Sequence, residues 1–135
     1  MADARKDKMT VGSPADGGTR SVSVIVPTYQ EVGSLPALIE RLDGLRQVGW
    51  DLELIIVDDD SRDGTLELIE GLSHDWIQLK VRTEDRGLST AVMAGLDDAS
   101  HELLIVMDAD LSHPPESIPA FVQSLDAGAD FVIGS

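Results

Sequence analysis

The feature that most constrains the fold of this chain is a repeated alternation of short apolar runs with amphipathic stretches. Apolar runs occur at residues 22–26, 52–57, 77–81 and 103–107, and a last short run occupies residues 131–133. Runs of this length are typical of strands buried on both faces of a parallel sheet. The sequence therefore predicts an α/β fold, Rossmann-like, with a mostly parallel sheet and helices on both faces.

The stretches between the runs have helical spacing. Ser34 is placed to cap the first helix and Asp63 to cap the second. The apolar faces expected for the first three helices are Leu35, Leu38, Ile39, Leu42 and Leu45; Leu66, Ile69 and Leu72; and Val92, Leu96 and Ala99. A fourth helix is expected after Pro114 and Pro115, with the apolar face Ile118, Phe121, Val122 and Leu125.

Length and composition predict a simple organisation. Residues 1–20 mix charge with Gly, Ser and Pro, so we expect a disordered N-terminal tail, followed by one domain over residues 21–135. The chain has no Cys, which excludes a disulfide framework and a thiolate metal site. The lack of Cys also fits a cytosolic setting, so we expect a cytoplasmic protein. Residues 1–20 lack the apolar core of a signal peptide and no later apolar run approaches the roughly 20 residues of a membrane-spanning helix, so we expect the chain to be soluble by itself.

Net charge limits the partners. The formal charge is −15, which argues against nucleic-acid binding and means that a phosphate ligand would need a cation. Two explanations of the acidity remain open at this point, an adaptation to high salt and an ordinary acidic protein.

Two carboxylates end the fourth apolar run. Asp108 and Asp110 follow it directly, one residue apart, and the carboxyl ends of parallel strands are where ligands gather in open α/β sheets. Delivering two like charges to one place is costly unless a cation offsets them. The pair is therefore a candidate site for a hard divalent cation and, through it, a phosphate.

Polar clusters also follow the first two runs. Tyr29 could stack on a base or sugar, and Glu31 and one of Asp58 or Asp59 could accept hydrogen bonds from a base or ribose. For the neighbouring Asp60, Ser61 and Asp63 we favour a solvated loop or a helix cap.

Five ordered motifs resemble those of family 2 glycosyltransferases. They read Val-Ile-Val-Pro-Thr-Tyr-Gln-Glu at 24–31, Val-Asp-Asp-Asp-Ser-Arg-Asp-Gly-Thr at 57–65, Arg-Gly-Leu-Ser-Thr-Ala at 86–91, Met-Asp-Ala-Asp-Leu-Ser-His-Pro at 107–114 and Val-Ile-Gly-Ser at 132–135. The chain looks most like the polyprenyl-phosphate sugar transferase branch, typified by the dolichyl-phosphate mannosyltransferases.

This resemblance implies a GT-A fold and an inverting transfer of a sugar, mannose or another hexose, from a GDP- or UDP-linked donor to a polyprenyl or dolichyl phosphate, with Mg²⁺ or Mn²⁺ required. It assigns Asp108 and Asp110 to the metal and to catalysis. The residues that it assigns to the donor nucleotide are Pro27, Tyr29, Glu31, Val57, one of Asp58 or Asp59, Asp108, Ala109, Asp110 and Ser112.

The chain departs from the family pattern at several positions. The family usually has Asn where Gln30 and Asp60 stand, and often Gln where Ser112 stands. Family members also usually continue well beyond Gly134 and Ser135, so we expect a fragment that ends after the fifth strand and holds the donor-binding half of the site. Its intact protein would work at the cytoplasmic face of a membrane, associated with it through the C-terminal part.

Two other functions fit parts of the sequence. The acidic cluster at 58–60 and Asp108 resemble the acidic pocket and phosphoacceptor of a signalling receiver domain. Alternatively, the segment binds a nucleotide sugar without turning it over.

Overall fold

The predicted alternation of strands and helices is confirmed. The structure is a computed structural model that describes residues 21–84, 87–101, 103–112, 114–120, 122 and 132–133. Its elements in chain order are β1 (Ser21–Thr28), α1 (Leu35–Gln47), β2 (Asp51–Asp58), α2 (Thr65–Leu72), β3 (Ile77–Val81), α3 (Leu88–Asp98), β4 (Leu103–Val106), a 3₁₀ turn (Pro115–Ser117) and β5 (Val132–Ile133).

Some predictions fall elsewhere in the chain. The predicted tail at 1–20 lies outside the described residues, and so do Phe121, Leu125 and Phe131. The division into a tail and one domain therefore stays a prediction.

All strand pairs of the sheet are parallel, in the order β3-β2-β1-β4-β5. The chain lays down β1, β2 and β3 in one direction and then crosses back to place β4 on the other side of β1. In open α/β sheets such a reversal leaves a crevice at the carboxyl ends of the strands, where ligands bind. Here the crevice lies between β1 and β4.

The strand order does not match the receiver-domain alternative. In that fold the strand that ends in the acidic pair lies beside the strand that carries the phosphoacceptor, because the order is 2-1-3-4-5. Here Asp58 ends β2 and Asp108 follows β4, and β1 separates the two strands. The receiver interpretation is therefore wrong.

The sheet has a core on each face, as predicted. On β1, Val24 and Val26 point into a large core with α1, and Ile25 points into a smaller core with α3. The predicted face of α1 is confirmed, since its five residues Leu35, Leu38, Ile39, Leu42 and Leu45 are all buried. Within the described ranges, no helix has both the length and the apolarity needed to cross a bilayer.

The buried face of α3 differs from the prediction. Ala91 and Gly95 are its buried residues, whereas Val92 and Leu96 are only partly buried against the smaller core. The reason is close packing, because a Cβ at Gly95 would collide with the side chain of Ile25 on β1. A small residue lets the helix approach the sheet, and hydrophobicity alone does not reveal such a position.

The predicted face of α2 is only partly correct. Ile69 is buried, but Leu66 and Leu72 are 45% and 38% exposed. Thr65 takes the second buried position on this helix of 8 residues, and Leu68 packs against the core from the same side. So short a helix offers few residues from which to read a period.

The two predicted caps have different outcomes. Ser34 stands at the start of α1, but its side chain makes no capping hydrogen bond and its backbone is already helical. The N-cap residue of α2 is Gly64, so the prediction for Asp63 is one residue off; Asp63 precedes the cap, and its carboxylate accepts hydrogen bonds from the Thr65 N–H at 3.3 Å and hydroxyl at 2.6 Å.

Candidate functional site

A pocket of about 310 Å³ lies at the carboxyl ends of β1, β2 and β4. It occupies the crevice that the strand order predicts. Its lining residues are Pro27, Thr28, Tyr29, Glu31, Asp59, Gly87, Leu88, Ala91 and Asp108. The structure thus brings together Pro27, Tyr29, Glu31, Asp59 and Asp108, which come from three separate sequence motifs.

Tyr29 and Glu31 form the β1 side of this pocket. Tyr29 is 51% exposed, so part of the residue is accessible to a ligand. Burial raises the pKa of Glu31; a hydrogen bond from the Tyr29 N–H works against this, and the negative charges of Asp110, Asp108 and Asp58 raise it further. The pocket is therefore a region of concentrated negative charge.

Asp108 and Asp110 bracket a tight turn after β4. Asp108 is half-buried and lines the pocket, whereas neither Asp110 nor Ser112 is among the lining residues. The exposed Asp110 accepts a hydrogen bond from the Ser112 N–H at 3.0 Å. Ser112 itself is exposed. The Ser112 N–H thus orients one carboxylate oxygen of Asp110.

The acidic residues fit a metal that shares its coordination with a ligand. Among the described residues, no cluster of three or more acidic or His side chains could hold an ion on its own. Mg²⁺ is commonly bound by one or two carboxylates together with phosphate oxygens and water. Asp108 and Asp110 supply hard oxygen donors of that kind.

Val57 and Ala109, which the resemblance assigned to the nucleotide, do not line the pocket. Both are fully buried, Val57 in the smaller core and Ala109 in the larger one. Their side chains hold the strand ends in place.

The structure separates the roles of Asp58 and Asp59. Asp58 is 3% exposed, and its carboxylate accepts hydrogen bonds from the Thr28 hydroxyl at 2.8 Å, the Ser61 N–H at 2.9 Å and the Ser61 hydroxyl at 2.5 Å. Ser61 also accepts a hydrogen bond from the Gln30 N–H at 2.7 Å. Asp58 therefore joins the loops after β1 and β2, while Asp59 lines the pocket.

Asp59 belongs to a network that sequence analysis missed. One of its oxygens accepts hydrogen bonds from Arg82 Nε at 3.1 Å and Nη2 at 2.8 Å, and the other accepts one from the Gly87 N–H at 2.8 Å. Arg82 lies outside the five motifs. Only its position directly after β3 could have drawn attention to it.

Left-handed backbone is concentrated in the loops beside the pocket. Gln30, Asp60, Arg62 and Leu111 all have φ between 55° and 65°. Asn tolerates this conformation better than most residues do, which explains the family preference for Asn at the first two positions.

A second cavity, of about 480 Å³, lies beside α2 and is lined by Asp58, Asp60, Arg62, Gly64, Thr65, Leu66, Glu67 and Val81. It is larger, but the pocket residues Tyr29, Asp59 and Asp108 do not line it.

Comparison with known proteins identifies a glycosyltransferase family and several similar enzymes. The family model for glycosyl transferase family 2 matches residues 23–135. The chain is 45% identical over 115 residues to a dolichol-phosphate mannosyltransferase of Pyrococcus furiosus, covering 84% of this chain and 32% of that protein. It is 43% identical over 117 residues to the Saccharomyces cerevisiae dolichol-phosphate mannosyltransferase, covering 84% of this chain and 43% of the relative.

Solved structures of glycosyltransferases have the same fold as this chain. A mannosyltransferase of Pyrobaculum calidifontis, in complex with GDP-Man and Mn²⁺, superposes with a TM-score of 0.61 at 30% identity and covers 77% of this chain and 31% of its own. Glucosyl-3-phosphoglycerate synthase of Mycobacterium tuberculosis, with Mn²⁺ and UDP, shares the fold at a TM-score of 0.63 and 24% identity, covering 78% of this chain and 39% of its own. The predicted GT-A type of α/β fold is confirmed.

The chain covers less than half the length of these relatives. The chain spans 32%, 42% and 43% of the length of three dolichol-phosphate mannosyltransferases that it resembles.

Proposed function

Because the chain belongs to glycosyl transferase family 2, we propose that it forms the donor-binding part of a metal-dependent inverting glycosyltransferase. The donor is a GDP- or UDP-linked hexose, with mannose first among the candidates, and the acceptor is a polyprenyl phosphate such as dolichyl phosphate. The observation that carries this proposal is the pocket between β1 and β4, which brings together Tyr29, Glu31, Asp59 and Asp108.

Different side chains of the site contact different parts of the donor nucleotide. Tyr29 is half exposed, and its aromatic ring is suited to stacking on a base or sugar. Asp59 and Glu31 supply acceptor oxygens for base or ribose donors. Asp108 and Asp110 hold Mg²⁺ or Mn²⁺, which supplies positive charge to the leaving diphosphate when it is bound.

The acceptor needs little activation. A phosphate monoester has a second pKa near 6, so its oxygen is already an anionic nucleophile at neutral pH. In the transfer, the bond from the sugar C1 to the donor phosphate oxygen breaks and a bond from C1 to the lipid phosphate oxygen forms, with inversion at C1. No protein base is then required.

A lipid acceptor also implies a location. We propose that the intact protein works at the cytoplasmic face of a membrane, where a polyprenyl phosphate and a cytoplasmic nucleotide sugar can meet. The relatives matched by this chain include undecaprenyl-phosphate as well as dolichol-phosphate sugar transferases, which supports a polyprenyl acceptor.

Titration calorimetry of the chain with GDP and UDP, each with and without Mn²⁺, tests the donor site. We expect one nucleotide to bind more tightly than the other, and Mn²⁺ to strengthen its binding in the wild type. In Asp110→Asn the gain from Mn²⁺ should largely disappear. Binding that is indifferent to Mn²⁺ would contradict the assignment of Asp108 and Asp110.

A second candidate is nucleotide-sugar binding without turnover by the chain as it stands. The observation that favours it is that the chain spans only 32–43% of the length of those mannosyltransferases. A radiolabelled sugar-transfer assay with dolichyl phosphate separates the two: lipid-linked product supports transfer, and donor binding without product supports binding alone.

A further inference from the structure

We infer that Arg82 is a positioning residue of the nucleotide pocket, acting through Asp59 and through the first turn of α3. This inference rests on the proposed function, because the pocket matters only if it receives a nucleotide. Arg82 is not among the residues that line the pocket, but it contacts two that are, Asp59 and Gly87.

The contacts form a closed arrangement. Arg82 donates from Nε and Nη2 to one oxygen of Asp59, and Nη2 also donates to the Gly87 carbonyl at 3.1 Å. The Gly87 N–H donates to the other oxygen of Asp59. Two chain segments, the end of β2 and the start of α3, are thereby held in one relative position by a single guanidinium.

Burial makes this arrangement stiff. The side chains of Arg82 and Asp59 are only 10% and 13% exposed, so water competes poorly for either. The Arg82 backbone is fixed as well, since its N–H donates to the Asp58 carbonyl at 2.8 Å. Hydrogen bonds between ionised groups are stronger than neutral ones, and this one is largely shielded.

The same hydrogen bonds involve a glycine with an unusual backbone conformation. Gly87 has φ 134° and ψ 163°, a conformation that side-chain-bearing residues rarely adopt. Its carbonyl accepts the first helical hydrogen bond of α3, from the Ala91 N–H at 3.0 Å. Arg82 thus helps to set where α3 begins, and with it the position of Leu88 and Ala91 on the pocket wall.

Arg82 has an electrostatic role too. The pocket region holds Glu31, Asp58, Asp59 and Asp108, and a nucleoside diphosphate is itself an anion. By pairing with Asp59, Arg82 offsets one of these charges and keeps the Asp59 oxygens oriented. A Lys cannot reproduce this fully, because its single nitrogen cannot replace both donors, Nε and Nη2, that the guanidinium directs at Asp59.

The test combines a structural readout with a binding readout on the 135-residue chain. The variants are Arg82→Gln and Arg82→Lys, and the matched control is Arg62→Gln, which removes an exposed Arg that is also paired with an Asp. Hydrogen exchange of the Gly87 amide reports the network directly. We expect faster exchange in both Arg82 variants and no change in the control.

Calorimetry with GDP and UDP gives the second readout. We expect Arg82→Gln to weaken nucleotide binding by about tenfold, the worth of roughly one charge-assisted hydrogen bond, by the same factor with and without Mn²⁺. In an Asp59→Asn background the same substitution should cost much less, because the two residues act as a unit. Arg82→Lys should recover only part of the affinity, and it remains usable if Arg82→Gln does not fold.

The outcomes separate the two proposals. A wild type that binds neither GDP nor UDP overturns the proposed function and, with it, the role of Arg82 in nucleotide binding. Normal wild-type binding with unchanged affinity in Arg82→Gln overturns the role of Arg82 alone. Additive effects of Arg82→Gln and Asp59→Asn would show that Arg82 does not act through Asp59.

Discussion

The two adjacent carboxylates at the end of β2 have different roles. Asp58 and Asp59 are chemically identical neighbours, yet Asp58 satisfies donors from Thr28 and Ser61 while Asp59 lines the pocket. Thr28 lies directly opposite Asp58 in the β1–β2 register. The register of the two strands therefore places the Asp58 carboxylate beside the Thr28 hydroxyl, where it is buried.

We predict that Asp58→Ala lowers the free energy of unfolding by about 2–3 kcal/mol, because buried donors of Thr28 and Ser61 lose their acceptor. Urea denaturation followed by circular dichroism measures this. Asp97→Ala, at an exposed position on α3, is the control and should stay close to the wild type. Equal stability of the two variants would contradict the structural role of Asp58.

Sequence motifs identified most of the pocket residues but could not show which role each of them has. Tyr29, Glu31 and Asp108 could be predicted because each follows a strand that the apolar pattern makes recognisable. Arg82 also follows a recognisable strand, but its role depends on contacts with Asp59 and with Gly87 that the sequence does not reveal. Val57 and Ala109 belong to motifs, but their side chains are buried in the core and do not line the pocket.

At the scale of elements, α3 lies close against β1. The strands were predictable because continuous apolar runs bounded by polar residues are typical of parallel strands. The helix faces were less so: α1 has 13 residues over which the period repeats, whereas α3 packs through Ala91 and Gly95, which carry little apolar signal.

We predict that Gly95→Ala destabilises the protein by about 1–3 kcal/mol, as overpacking of a core usually does, because the added Cβ meets Ile25. Gly71→Ala in α2 is the matched control. A Cβ there meets nothing within 4 Å, so Ala should be neutral or stabilising by up to about 1 kcal/mol. Thermal or urea denaturation measures both, and a stable Gly95→Ala variant would refute the close packing of α3.

An ion pair ties α1 to the segment that follows the acidic turn. Arg41 donates to both oxygens of Glu116, at 3.0 Å and 2.5 Å. Arg41 lies on α1 and Glu116 in the 3₁₀ turn. The pair therefore helps to fix the far end of the segment that carries Asp108 and Asp110.

Hydrogen bonding from Arg41 lowers the pKa of Glu116. A lowered folded-state pKa stabilises the protein above the unfolded value of about 4.3 and the gain is lost as the pH falls through the folded-state value. We predict that Glu116→Gln is less stable than the wild type by at most about 1 kcal/mol at neutral pH, because both side chains are more than a third exposed.

Urea titrations at neutral and acidic pH measure the effect. The difference between wild type and Glu116→Gln should shrink below pH about 4. Glu40→Gln, exposed on α1, serves as the control. A difference that persists or grows in acid would contradict the ion pair.

At the scale of the whole molecule, net charge is the dominant property. The chain carries 25 acidic and 10 basic residues, a formal charge of −15. Self-repulsion of such a charge disfavours the compact state, and salt screens it, with a Debye length of about 3 Å at 1 M. We predict that the melting temperature rises as KCl increases from about 0.05 M to about 1 M.

Sucrose at matched osmolality separates screening from a general stabilising effect of the solute. A melting temperature that is flat or falling in KCl would contradict the electrostatic account. It would also favour the ordinary acidic protein over the high-salt adaptation.

We propose that the carboxyl ends of β1, β2 and β4 form one metal-dependent nucleotide site. A crystal structure of the chain with GDP or UDP and Mn²⁺, with the metal located by anomalous scattering, tests it most directly. We expect an anomalous peak within coordination distance of the carboxylates of Asp108 and Asp110, the diphosphate on that metal, and the base beside Tyr29 and Asp59. A nucleotide bound in the cavity beside α2, or a metal held by other acidic residues, would contradict it.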